Sequence, residues 1–215
     1  MKKSILIFAM LSATPAFNAE AEGFFVGGGI APIVYWKAKS EDCFFNCSPY
    51  RSQQDNNAVG FGIHGGQWLW SGNGGVAGWE AGYDSLGNIN GSTTATVGFT
   101  TSSGNWKHTA TAVHAAAILE GINGKHRAFS RIGLFRSSTK TEGTYVIGGG
   151  TYSSRTSGTG LLLGVGYKYE FARQFFWVAG MDGFIRVKLA DPVSPATTTS
   201  ENLLKVFFGV EYNFK

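Results

Sequence analysis

The side chains with the most capacity for chemistry in this chain are charged ones set among glycines. Glu80, Arg131, Lys168, Glu170, Asp182, Arg186, Lys205 and Glu211 each fall in a stretch where small or polar positions alternate with apolar ones. If the apolar row faces lipid or a core, these charges share the opposite side. Isolated buried charges are very costly, so they must pair or stay hydrated. Two chemistries fit: a packed network of ion pairs, or a polar path for ions or protons. The sequence does not say which acid meets which base.

Other constellations are weaker. The four histidines are His64, His108, His114 and His126. His108 and His114 share a strand face but lie roughly 20 Å apart at about 3.3 Å per residue, too far to hold one metal. His126 and Ser130 could begin a nucleophile–base pair, but no recognised catalytic motif surrounds them and they fall beside a short turn. Residues 60–65, G-F-G-I-H-G, fit G-x-G-x-x-G. That pattern binds nucleotides only at a strand-to-helix turn, and here it lies inside an alternating strand. Cys43 and Cys47 are the two cysteines. A zinc site would need two further ligands, and no His or Cys lies close by. Behind an export signal a small local disulfide is the expected state.

The elements that must position these residues are strands. From Leu204 every second residue is apolar or aromatic, through Val206, Phe208, Val210, Tyr212 and Phe214. Leu203, Lys205, Phe207, Gly209, Glu211 and Asn213 intervene. This period of two exceeds the usual strand of about 5–6 residues and suits the roughly 9–11 needed to cross a bilayer. The same alternation predicts strands at 23–37, 58–70, 76–86, 106–120, 127–137, 160–171, 175–189 and 201–215. The first puts Phe24, Val26, Ile30, Val34 and Trp36 on one face, with a ladder irregularity at Pro32. The seventh puts Trp177, Ala179, Met181, Ile185 and Val187 opposite Gly180, Asp182, Arg186 and Lys188. Long polar stretches (38–57, 87–105, 138–157 and 190–200) read as loops. They alternate with short turns, among them Asn123-Gly124, a hairpin signal. The prediction is all-β: an eight-stranded antiparallel up-and-down transmembrane β-barrel, long loops at one end and short turns at the other. Trp36, Trp79, Phe171, Trp177, Tyr212 and Phe214 would band its outside. A secreted β-sandwich is the bland alternative.

Composition agrees. Charged residues are 15% and glycines number 31 of 215, against about 25% and 7% in typical soluble domains. A net charge of +4 without a Lys/Arg run beyond Lys2-Lys3 gives no reason to expect nucleic acid. Lys2, Lys3, the apolar run 5–11 and Ala19-Glu20-Ala21 read as a signal peptide, residues 1–21, cut after Ala21 or alternatively after Ala19. Residues 22–215 then form one barrel domain.

Residues 60–69 (G-F-G-I-H-G-G-Q-W-L), 78–87 (G-W-E-A-G-Y-D-S-L-G), 160–171 (G-L-L-L-G-V-G-Y-K-Y-E-F) and the C-terminal stretch resemble, in order and spacing, strands of the OmpA-like barrels. OmpX- and opacity-type barrels share the pattern. The resemblance implies the Gram-negative outer membrane, reached by export, with its lipids and lipopolysaccharide as neighbours. It also implies recognition of Tyr212 and Phe214 by the barrel-assembly machinery, although Lys215 follows the usual terminal aromatic. Function is then structural or adhesin-like, with a host or surface ligand at the loops and no cofactor. Lys37, Arg51, Lys107, Lys140, Arg155 and Lys188 are the candidate lipopolysaccharide contacts. A narrow porin and a lipid A-modifying enzyme are the alternatives.

Overall fold

Alternating faces force the chain to hide its backbone in strand ladders, and it does so by closing a ring. The computed structural model describes residues 23–36, 50–72, 74–97, 100–145, 149–190 and 197–214. The expected signal peptide (residues 1–21), Lys37, Cys43, Cys47 and Lys215 lie outside them. The strands are β1 (Phe24–Trp36), β2 (Tyr50–Gln54), β3 (Asn57–Gly72), β4 (Gly75–Val97), β5 (Thr100–Asn123), β6 (His126–Thr144), β7 (Thr151–Ala172), β8 (Phe175–Ala190) and β9 (Thr198–Asn213). All pairings are antiparallel and run β4-β3-β1-β9-β8-β7-β6-β5, and β5 returns to β4. The short β2 adds to the upper part of β4, from Tyr50↔Ala95 to Gln54↔Gly91. The barrel wall is therefore eight strands, closed by β9 against β1, with Phe25↔Asn213 to Trp36↔Leu203 in register. Closure removes the sheet edges in the wall.

The outward row is apolar. Val59, Phe61, Ile63, Val113, Leu119, Ile132, Leu134, Leu161, Leu163, Val165, Met181, Leu204 and Phe208 are all exposed, with Val59 at 71% and Leu134 at 65%. Their inward neighbours are buried or half-buried. A surface this apolar has lipid as its solvent. Aromatic rings gather at the short-turn end: Phe171 on Trp177 (4.8 Å), Phe175 on Tyr212 (4.7 Å) and Tyr212 on Phe214 (4.8 Å). Trp70 and Trp79 continue the band on β3 and β4.

Several expectations need correction, each for a backbone reason. Two of the expected long loops are mostly strand. β4 and β5 pair up to Val97↔Thr100, and β6 and β7 up to Thr144↔Thr151. Above the lipid both faces of a strand are polar, so no apolar alternation marks them. Val34 and Trp36 face inward, both at 0% exposure. The ladder shifts between Ile30 and Ile33 on one side and between Ala31 and Val34 on the other, around Pro32, which reverses the phase. Trp36 is thus no part of the outer band. A second shift, between Phe184 and Val187, turns Val187 inward and Arg186 and Lys188 outward. Arg186 takes the uncommon left-handed conformation there, with φ 72°. A third irregularity, between Ser85 and Asn88, is made by Gly87 at φ 77°, a conformation glycine adopts without a Cβ clash. It keeps Leu86 and then Ile89 pointing in.

Candidate functional site

Two features could carry function: the charged lumen and the end of the barrel that rises above the apolar belt. In the lumen, β4, β5, β6, β8 and β9 each place inward groups at one level, and these close into a cycle. Arg131 donates to Glu80 Oε1 (2.6 Å) and to both oxygens of Asp182 (2.5 and 2.6 Å). Lys205 Nζ joins Asp182 Oδ2 (2.8 Å) to Asp84 Oδ1 (2.6 Å). His114 Nδ1 lies 2.9 Å from Asp84, and its Nε2 lies 3.6 Å from Glu80. The cycle is Glu80–Arg131–Asp182–Lys205–Asp84–His114 and back, acid and base alternating throughout. Three carboxylates face Arg131 and Lys205, and a proton on His114 brings the sum to zero.

A second cluster lies one layer toward the short turns. Lys168 Nζ bonds both oxygens of Glu211 at 2.8 Å and contacts Glu120. Arg127 reaches Glu120 at 3.4 Å and His64 reaches Glu211 at 3.3 Å. Rings fill the space between the layers. Arg131 and Lys205 lie 5.1 and 4.9 Å from the Phe207 centroid, and Lys168 lies 5.3 Å from that of Phe129.

The inward glycines make this packing fit. Gly164 has Asp182 Oδ1 and the Arg131 stem 2.5–2.6 Å from where a Cβ would stand, and Gly82 has the His114 ring at 2.6 Å. Glycine on this face is room for a neighbour's long charged side chain. The void beside the cycle is about 20 Å³, which holds about one water, since a water needs roughly 10–15 Å³ of such space. Above the cycle, Phe135, Leu162, Phe184 and Leu203 form an apolar layer, and Phe135 meets Phe184 edge-on at 5.2 Å.

Of the eight charges expected in the lumen, the structure brings together Glu80, Arg131, Lys168, Asp182, Lys205 and Glu211. Arg186 is outside because of its bulge, and its N–H bonds Asn202 Oδ1 at 3.0 Å. Glu170 is half-buried beside the β7–β8 turn, where it accepts the Gln174 backbone N–H at 3.3 Å. Asp84, His114, Glu120, Arg127 and His64 also belong to the network, beyond the eight charges expected from the sequence. Their inward phase was legible, since each shares a face with Glu80, His108, Arg131 or the β3 glycines.

The other histidines are placed too. His108 lies 2.7 Å from Thr141 Oγ1, is parallel to Trp36 and meets Trp106 at a tilt. His126 touches Tyr167 at the short-turn end, while Ser130 faces outward on β6.

Of the candidate rim cations, Lys140 and Arg155 sit on paired strands rather than in loops, with Lys140↔Arg155 as direct cross-strand partners. Lys140 also pairs with Glu142 at 2.6 Å. Lys107 and Lys188 face outward, and so does Arg136, one outward step above Leu134. Arg51 is on β2.

No protein-family model matches the chain, and no curated protein does. Among solved structures it is similar to Neisserial surface protein A, at 15% identity and TM-score 0.51, over 90% of this chain and 99% of that one. It is also similar to Ail, the attachment invasion locus protein of Yersinia pestis, at 16% identity and TM-score 0.50, again over 90% and 99%. The outer membrane protein OprG from Pseudomonas aeruginosa matches at 9% identity and TM-score 0.48, over 91% and 98%. Likeness at this level of identity is likeness of fold, and the fold is the eight-stranded outer-membrane β-barrel.

Proposed function

We propose that this eight-stranded outer-membrane barrel is a non-conducting, non-enzymatic protein that works through its extracellular end, as a structural or adhesin-like surface component. The observation that carries this is the filled lumen: an alternating ion-pair cycle, a second cluster below it and an apolar layer above. An eight-stranded barrel has an interior that side chains just fill. A narrow channel is the rival reading, since charges line the lumen, and it would need the cycle to open. A lipid A-modifying enzyme finds little support, because His64, His108 and His114 point inward and His126 sits at the opposite, short-turn end.

Arg136, Lys140 and Arg155, with Lys107, Arg186 and Lys188, form an outward set of cations just above the apolar belt. Placed there they meet lipopolysaccharide phosphates. Each Lys or Arg near an anionic surface is worth about 1 kcal/mol. Neutralising the first three with Gln is expected to weaken association of the refolded barrel with lipopolysaccharide at low salt by roughly ten- to a hundredfold, and by less at high salt. Surface plasmon resonance against immobilised lipopolysaccharide measures this. Unchanged binding removes the phosphate role. At the other end, Tyr212 and Phe214 are the groups the assembly machinery would read. A disulfide between Cys43 and Cys47, five residues end to end, belongs to the same proposal.

A further inference from the structure

The aromatic band at the short-turn end is uneven. On β7, β8 and β9 the outer surface beside the turns carries rings that lie on one another, from Phe171 on Trp177 to Tyr212 on Phe214. On β4, β5 and β6 the matching outward positions hold Gly75, Gly121 and Ala128. These are direct neighbours in one row across the wall, Gly75↔Gly121 and Gly121↔Ala128. The row runs on to Gly72 of β3 and to Tyr167 of β7. Trp70 lies over Gly72, where a Cβ would stand 2.9 Å from the indole. Tyr167 is held by His126. Between the two rings the missing side chains leave a recess of about 390 Å³ in the lipid-facing surface, with Leu119 and Ser130 at its upper lip. Nothing stands within 4 Å of a Cβ on Gly121, so the protein itself does not fill the hollow.

Charge is sorted at the mouth of this recess. Lys125 and Arg173 are exposed on neighbouring turns, which are tied together where the Glu170 N–H donates to the Lys125 carbonyl at 2.9 Å. Neither cation has an ion-pair partner among the described residues. The carboxylates at this end are withdrawn: Glu120 and Glu211 are buried and Glu170 is half-buried. The outer surface there is therefore positive.

We infer that the recess holds one anionic phospholipid, its glycerol and upper acyl chain in the hollow and its phosphate toward Lys125 and Arg173. Short turns face the periplasm in such barrels, and the leaflet at that side is phospholipid. A hollow facing hydrocarbon is filled by lipid, because no water is at hand there. Trp70 and Tyr167 flank it at the depth where such rings meet headgroups. The outward Ser130 hydroxyl has no hydrogen-bond partner among the described residues, and it is a donor for an ester carbonyl. A second copy of the chain suits the recess less well, since a twofold contact would bring the same cations toward one another. The inference goes beyond the surface reading and stands whatever the other end binds.

The test titrates the full refolded chain in detergent with phosphatidylglycerol and phosphatidylcholine of the same acyl chains, and reads retained lipid by native mass spectrometry. Wild type is compared with G121L and A128L, which fill the recess from facing strands, and with K125Q/R173Q at its mouth. A179L, an outward change on β8 away from the recess, is the control. Each variant is shown to be folded by heat-modifiable migration. Wild type and A179L are expected to retain one phosphatidylglycerol, preferred over phosphatidylcholine by at least about fivefold, the worth of one cation beside an anionic head. K125Q/R173Q should retain one lipid without that preference, and G121L and A128L should retain none. A wild type that holds no lipid, that holds both lipids equally, or that is matched by G121L and A128L overturns the inference. So does a lipid-free dimer that the two filling variants break.

Discussion

Replacing Arg131 with Met is expected to destabilise the folded barrel by about 3–5 kcal/mol, the usual consequence of removing one partner from a buried ion pair. Arg131 is the base that holds two acids, Glu80 and Asp182, at 2.5–2.6 Å. Without it Asp182 keeps Lys205 at 2.8 Å, but among the described residues the one ion-pair partner left to Glu80 is His114 at 3.6 Å. Glu80 is 1% exposed, so bulk solvent does not reach it to replace the lost donors. The urea midpoint of tryptophan fluorescence in detergent micelles reads the effect. Adding Glu80→Gln removes the stranded charge, and the double variant E80Q/R131M is expected to recover at least half of the loss. If Arg131→Met unfolds at the wild-type midpoint, the cycle is not holding the barrel together.

The second large effect belongs to the outside. Val165 lies midway along the outward row from Leu161 to Phe171 and is 54% exposed, with Ser130 and Met181 as its strand partners. Val165→Arg places a charge at mid-membrane and is expected to cost about 2–4 kcal/mol. The same change at Ser157, on the same strand and face but above the belt, should cost about 0–1 kcal/mol. Urea unfolding in lipid bilayers compares the two. Equal costs would mean that Val165 does not face lipid.

These two residues also show how far the sequence could be read. The outward row of β7 and the terminal row from Leu204 to Phe214 were plain because lipid demands a strict period of two. Arg131, Lys168, Asp182, Lys205 and Glu211 were found by the same rule, as the residues between. The rule failed where the backbone changed phase. The bulge before Val187 sent Arg186 outward, and the irregularity around Pro32 sent Trp36 inward. It also failed above the membrane, where water bathes both faces. There Thr-rich strands such as 92–96 read as loop by their polarity alone, although β-branched Thr favours strands. The ring itself was out of reach. Asp84 and His114 lay on the right face, but the pairs of the cycle join residues 23 to 121 positions apart, and strand order alone does not set their heights. The role of Gly82 and Gly164 is set by the side chain opposite each, which the sequence does not name.

The closed lumen is tested most directly by single-channel recording of the refolded full chain in planar bilayers. The ion-pair cycle and the 20 Å³ void beside it predict a silent membrane, with no stable steps at moderate voltage in wild type. Reproducible single-channel steps from wild type would contradict the packed lumen and make this barrel a channel.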